Sequence, residues 1–155
     1  MKFKLVLLLS LVFLLGSCKF MDPDEKAVSE MLLTFTTALD QDSEDLAKAC
    51  LMDDSSFKIL NPDASARMDP ESFIETVIAA LFHDYRDLAV NLRGKDMKMK
   101  GFTLGHAWFQ YKGRQAFKDN ILELSADGAI IEIPIAGIVK VNQQWRIVDL
   151  SGIDF

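Results

Sequence analysis

The first half of the chain places apolar residues three and four positions apart, the repeat of a helix with one buried face. The first such run follows the sequence Asp-Pro-Asp-Glu at residues 22–25, where Asp can cap a helix and Pro fits its first turn. Similar runs begin at Asp42 and, behind Asp69-Pro70-Glu71, continue to about Leu88. The pattern therefore predicts three helices, with a short strand over residues 57–60 between the second and third.

From about Asp96 the apolar repeat shortens to two residues, which is the repeat of a half-buried strand. Turn-forming residues at 112–113, 126–128 and 142–143 divide this half into four strands joined as hairpins. A change in the parity of the apolar positions predicts a bulge near Gly101.

The third of these strands carries apolar residues on both faces, with more of them on one face than on the other. The face that we expect in the core carries Ile131, Ile133, Ile135, Val139 and Val141. The opposite face carries Ile130, Ala136 and Ile138. We therefore expect an apolar outer surface that pairs with a second copy of the chain or with a partner protein.

Helices followed by a strand meander resemble the nuclear transport factor 2-like fold, shared by the SnoaL and ketosteroid-isomerase-like proteins. The junction at residues 39–47 and the final strand at 144–150, with its Trp-x-Ile sequence, support this resemblance. It implies an α+β domain over residues 22–155, in which three N-terminal helices pack on a curved antiparallel sheet of four to five strands. Such a sheet encloses a cone with a pocket. Another α+β meander, such as a cystatin-like sheet over one helix, remains an alternative.

The first residues have the pattern of an export signal. Lys2 and Lys4 precede an apolar run from residue 5 to 15, which is too short to span a bilayer. Leu15, Gly16, Ser17 and Cys18 follow, and this tetrapeptide resembles the lipobox of bacterial lipoproteins. The resemblance implies a signal peptide over residues 1–17, cleavage before Cys18, and attachment of fatty-acyl chains to that thiol. An ordinary secretory signal and a retained anchor helix are the alternatives.

A lipidated Cys18 would leave only residues 18–21 as a tether, so the domain would lie close to the membrane. Lys19 stands where an inner-membrane retention signal often has Asp. By resemblance to Gram-negative sorting, we expect the outer membrane, on its periplasmic or its surface side.

Charge and composition limit the classes of partner and cofactor that this chain is expected to bind. The chain has 17 basic and 23 acidic residues, a net charge of -6, which disfavours nucleic acid as a partner. Two histidines, His83 and His106, are too few to predict a zinc site, and no cofactor is predicted. Cys50 is expected to be a small buried apolar residue on a helix, with a redox or intermolecular thiol as the alternative.

If the cone is correct, its pocket should be lined by residues from the helices and the inner sheet face. The candidates are Phe35, Tyr85, Leu104, His106, Trp108 and Ile133. The isomerases of this fold use Tyr and Asp deep in the cone, whereas the first helix here has Phe35 and threonines instead. No catalytic residue is therefore predicted.

Three functions are compatible with these patterns. The leading hypothesis is a membrane-anchored envelope lipoprotein that binds a small apolar molecule or a protein without catalysis. The second is an isomerase or lyase that acts on a small apolar substrate in the pocket. The third is a structural envelope protein with a filled core. A cavity would argue against the third, and ionisable groups inside it would favour the second.

Overall fold

The computed structural model describes residues 22–63, 69–107 and 114–150. Trp108, the turn at 112–113 and the N-terminal signal, including Cys18, lie outside these ranges. The described helices are α1 (Pro23–Gln41), α2 (Glu44–Cys50), α3 (Asp54–Leu60) and α4 (Pro70–Leu92). The strands are β1 (Met97–Thr103), β2 (His106–Ala107), β3 (Ala116–Ala126), β4 (Ala129–Val141) and β5 (Gln144–Asp149). The predicted α+β class is confirmed.

Each of these helices begins at a side chain that accepts a hydrogen bond from a free backbone N–H group. Asp22 accepts from the N–H of Asp24 at 2.8 Å, which confirms the predicted start of α1. Asp69 accepts from the N–H of Ser72 at 3.1 Å and begins α4 in the same way. No helix in the described ranges combines the length and the hydropathy that crossing a membrane requires.

The helices differ from the prediction in three places. Residues 57–60 are not a strand but the last part of α3, because Asp53 caps this helix and its apolar residues lie on one helical face. Asp42 does not begin α2; it ends α1 with a left-handed backbone, and Ser43 caps α2 instead. The last helix continues beyond Leu88 to Leu92, since Leu88 and Leu92 are both buried. The described chain thus has four helices and not three.

The sheet is antiparallel in the order β1-β3-β4-β5, and β2 pairs with β3 beside β1. The predicted turns between β3 and β4 and between β4 and β5 are present, with positive φ at Asp127, Gly128, Asn142 and Gln143. The register of β1 against β3 shifts between Met99 and Gly101, which confirms the predicted bulge.

The outer face of β4 is less exposed than predicted. Ile130 is 59% exposed, but Ile138, expected on the same surface, is fully buried beside Val139. Ile138 pairs with Phe117 on β3 and with Ile147 on β5. Two consecutive buried residues mean that both faces of the sheet are covered here. The prediction for Ile138 was wrong because strict alternation assumes that one face contacts water.

Candidate functional site: a cavity at two distorted strands

A cavity of about 290 Å³ lies between α3, α4 and the strands β3, β4 and β5. Its apolar lining consists of Met52, Phe57, Val77, Ala136 and Val148. Its polar and ionisable lining consists of Asn61, Lys118, Asp119 and Asp149, and Gly137 completes the wall. An apolar hollow with a few polar groups is the usual composition of a small-molecule site.

Strand β3 is distorted where it borders this cavity. Asp119 has a left-handed backbone, with φ of 57°. The other described non-glycine residues with positive φ lie at the end of α1 or in the hairpin turns, where that conformation is common. A left-handed residue inside a strand costs roughly 1–2 kcal/mol. The surrounding structure must therefore stabilise it.

Asn120 supplies that stabilisation from the next position. This residue is 2% exposed. The amide Nδ2 donates to the carbonyl oxygens of Phe117 and Ile135, both at 3.1 Å, and Oδ1 accepts from the N–H of Gly105 at 3.2 Å. The bonds with Ile135 and Gly105 connect β3 to β4 and to the segment before β2, and the bond with Phe117 lies within β3. They hold the backbone on either side of Asp119.

Gly105 allows this segment to approach β3 closely. A Cβ atom at residue 105 would lie 2.1 Å from the carbonyl oxygen of Lys118 and 2.3 Å from that of Asp119. Both contacts are far shorter than any van der Waals distance, so only glycine fits this position. The distortion of β3 therefore depends on Gly105 and Asn120 together.

A second distortion borders the same cavity. Gly137 on β4 pairs with Asp149, and Ile138 pairs with Ile147, so Val148 is the extra residue of β5. A Cβ atom at residue 137 would lie 2.9 Å from Cγ2 of Val148. Distorted strands occur often beside binding sites, where they redirect side chains. Two of them at one apolar cavity indicate this place as the candidate site.

The ionisable groups at the cavity are mostly exposed to water. His106 lies 3.7 Å from Asp119, measured from Nδ1 to Oδ2, with the two side chains 82% and 67% exposed. Lys118 is exposed, and its ammonium group makes no hydrogen bond or ion pair with another described side chain. The arrangement can thus offer the carboxylate of Asp119 and the ammonium group of Lys118 to a ligand whose apolar part occupies the hollow.

The residues predicted to line a pocket lie elsewhere. Phe35 and Tyr85 are fully buried in the core, with ring centroids 6.1 Å apart, and the Tyr85 hydroxyl donates to the carbonyl of Ala38. Ile133 is also buried, and Leu104 is half-buried. His106 reaches only the edge of the site through Asp119, and Trp108 lies outside the described residues. The cavity is lined by none of these five described side chains.

The sequence analysis missed Lys118, Asp119 and Gly137. One signal was available, because the polar sequence Lys-Asp-Asn at residues 118–120 interrupts the apolar alternation of β3. Three consecutive polar residues break the two-residue repeat of a strand, and such a break often marks a distorted strand of the kind found beside sites.

A shallower groove of about 380 Å³ lies between α1, α2 and β5 and includes Cys50 and Trp145. Cys50 is buried, as expected, and its Sγ donates to the carbonyl of Met31 at 3.5 Å. Burial raises the pKa of this thiol to about 12, which leaves it protonated at neutral pH. The groove therefore offers no reactive thiolate, and the apolar interpretation of Cys50 accounts for its position.

Within the described residues, no three His, Cys, Asp or Glu side chains are grouped closely enough to hold a metal ion. Comparisons with known protein families, with curated proteins and with solved structures find no match to this chain. A functional proposal for this protein therefore rests on the geometry of the cavity and on the N-terminal sequence.

Proposed function

We propose that this protein is a bacterial envelope lipoprotein, anchored through acyl chains on Cys18, whose folded domain binds a small molecule. The cavity between α3, α4 and the sheet carries the binding part of this proposal. The lipobox-like sequence at residues 15–18 carries the anchoring part. We place it at the outer membrane because Lys19 stands where inner-membrane retention signals of Gram-negative lipoproteins often have Asp.

A nuclear transport factor 2-like cone is the fold that we propose for the domain. The order of helices followed by a strand meander, and a cavity between helices and sheet, support it. Distortions of β3 and β5 at the cavity fit a curved sheet, because bulges bend and twist strands. A cavity of this size also disfavours a purely structural protein with a filled core.

The location and the exposure of the ionisable groups favour binding over catalysis. Tyr85, the buried tyrosine in the described core, donates its hydroxyl to a backbone carbonyl and does not line the cavity. His106 and Asp119 are both more than two-thirds exposed, so water competes with their interaction. General acid–base catalysis usually uses groups that are shielded from water and have matched pKa values.

One observation favours the alternative, an isomerase or lyase. Asp119 lines the cavity, and its carboxylate lies 3.7 Å from Nδ1 of His106. A ligand that closed over this pair would exclude water and make it a candidate acid–base pair. The His106→Asn variant separates the two functions, since it should leave ligand affinity unchanged if the protein only binds but abolish any turnover of that ligand.

The binding proposal is tested by native mass spectrometry of the full chain released from membranes. We expect a co-purified small molecule in the natural protein and its loss in Ala136→Phe, where the larger side chain fills the cavity. The matched control is Ile130→Phe, an exposed position on the same strand. Equal ligand content in all three proteins would contradict binding in this cavity.

The anchoring proposal is tested with Cys18→Ala in a Gram-negative host. We expect the variant to lose membrane association and the added mass of the acyl chains. Cys50→Ala is the matched control, because it removes the chain's other cysteine and should keep both properties. Unchanged membrane association and mass in Cys18→Ala would overturn lipidation at this residue.

A further inference from the structure

We infer that the cavity between α3, α4 and the sheet binds a small zwitterion with an apolar side chain, which is the chemistry of a free apolar α-amino acid. The inference rests on the proposed binding function and names its ligand class. It starts from two consecutive residues of opposite charge, Lys118 and Asp119, which line the same cavity.

The distortion of β3 explains how these two neighbours come to line one cavity. In a regular strand, consecutive side chains point to opposite faces of the sheet. The left-handed backbone of Asp119 interrupts that alternation, and Lys118 and Asp119 both line the hollow. Because consecutive Cα atoms lie only about 3.8 Å apart, one positive and one negative side chain start from the same part of the cavity wall.

Both of these charges are available to a ligand. Although Lys118 and Asp119 are consecutive, they do not form an ion pair with each other. The ammonium group of Lys118 makes no hydrogen bond or ion pair with another described side chain. Asp119 lies 3.7 Å from His106, but both of these side chains are mostly exposed, so a ligand can displace the imidazole at little cost.

The balance of charge at the cavity favours a ligand that carries both signs. Asn61 and Asp149, the other polar residues of the lining, already have partners. Lys118 and Asp119 therefore offer one positive and one negative charge. A singly charged ligand would be attracted by one of them and repelled by the other, whereas a zwitterion would be attracted by both. The head group of an α-amino acid carries its ammonium group and its carboxylate on one carbon atom.

The hollow suits the side chain of such a ligand. Met52 and Phe57 are almost completely buried, and Val77 and Val148 are partly buried beside them. A volume of about 290 Å³ is at the lower end of ligand pockets, so one apolar amino-acid side chain fits better than a larger molecule.

The test uses isothermal titration of the full chain with probes that differ by one charged group. Phenylalanine carries both groups, phenethylamine lacks the carboxylate, and 3-phenylpropanoate lacks the ammonium group. We expect phenylalanine to bind at least about fivefold more tightly than either of the other two, because each of them loses one attraction and keeps one repulsion. Serine, with the same head group but no apolar side chain, should bind at least about tenfold more weakly than phenylalanine.

Two variants assign the two charges separately. Lys118→Gln should make phenylalanine and phenethylamine bind equally, while the preference for phenylalanine over 3-phenylpropanoate remains. Asp119→Asn should do the reverse, and Asn tolerates the left-handed backbone at this position. The matched controls are Lys95→Gln and Asp127→Asn, since both residues are exposed and lie outside the cavity lining. They should leave both preferences unchanged.

Equal binding of phenylalanine and its two singly charged analogues overturns the inference and leaves the binding function intact. Tighter binding of either analogue, or of serine, overturns it in the same way. Binding of no probe at millimolar concentration also overturns it, and the native mass spectrum then decides the binding function separately. Preferences that persist in both Lys118→Gln and Asp119→Asn would contradict the recognition of the zwitterion by these two side chains.

Discussion

Asp24 in the first turn of α1 and Lys140 on β4 form an ion pair across 116 residues of sequence, with 2.6 Å between Oδ1 and Nζ. The two side chains are 28% and 22% exposed, and Lys140 also lies 5.8 Å from the ring centre of Trp145. The Trp145 Nε1 is buried and makes no hydrogen bond with a described residue. These contacts connect the start of α1 to the sheet. The start of α1 is also the part of the domain nearest to the proposed anchor.

The pair makes stability depend on pH in the acid range. The hydrogen bond and charge of Lys140 hold the pKa of Asp24 below its ordinary value of 3.8. A depressed pKa stabilises the fold above pH 3.8, and this contribution is lost as the pH falls through the folded-state pKa. We expect Asp24→Asn to lower the free energy of unfolding at pH 7 by about 1 kcal/mol. Urea titrations at several pH values measure it.

The matched control for Asp24→Asn is Glu25→Gln, which removes an exposed charge from the same turn of α1. Both variants weaken the favourable interaction with the helix dipole, so their difference isolates the Lys140 pair. Equal effects of the two variants, or an Asp24→Asn effect that does not shrink as the pH falls below 3.8, would contradict the prediction.

Asn120→Ala should be strongly destabilising. It removes three hydrogen bonds and leaves buried backbone groups without partners, a cost of roughly 2–4 kcal/mol in the free energy of unfolding. It should also weaken ligand binding, because Asp119 loses its support. Asn91→Ala, at an exposed position on α4, should change stability by less than about 0.5 kcal/mol. Similar denaturation midpoints for the two variants would refute the role of Asn120.

Gly105→Ala and Gly94→Ala should separate steric cost from conformational cost. The new Cβ at residue 105 would collide with two backbone carbonyls, whereas at residue 94 no atom lies within 4 Å and only the positive φ is unfavourable. We expect about 1 kcal/mol of destabilisation at residue 94 and at least twice that at residue 105. Thermal and urea unfolding measure both values. A tolerated Gly105→Ala would mean that β2 and β3 do not approach as described.

Cys50 should be unreactive in the folded protein. Burial raises its pKa to about 12, so the thiolate that attacks alkylating reagents is almost absent at pH 8. In a Cys18→Ala background, we expect no labelling by iodoacetamide under native conditions and complete labelling in guanidinium chloride. Rapid native labelling would restore the redox interpretation of this thiol.

Much of the local structure was predictable because its causes lie within a few residues. The start of α1 at Asp22 depends on a hydrogen bond to Asp24, and the β3–β4 turn depends on Asp127 and Gly128. The buried stripe of β4, including Ile133 and Val139, follows from alternation. By contrast, the helix at residues 57–60 was missed because four residues are too few to distinguish a helix from a strand.

The sequence alone determined the α+β class, most element positions and the burial of Cys50. Tertiary structure decided the site, because the partners that distort β3 come from distant segments: Gly105 precedes β2, and Ile135 lies on β4. Packing on both faces of the sheet likewise decided that Ile138 is buried. The spacing of apolar residues predicts which positions are buried. It does not predict which distant part of the backbone packs against them.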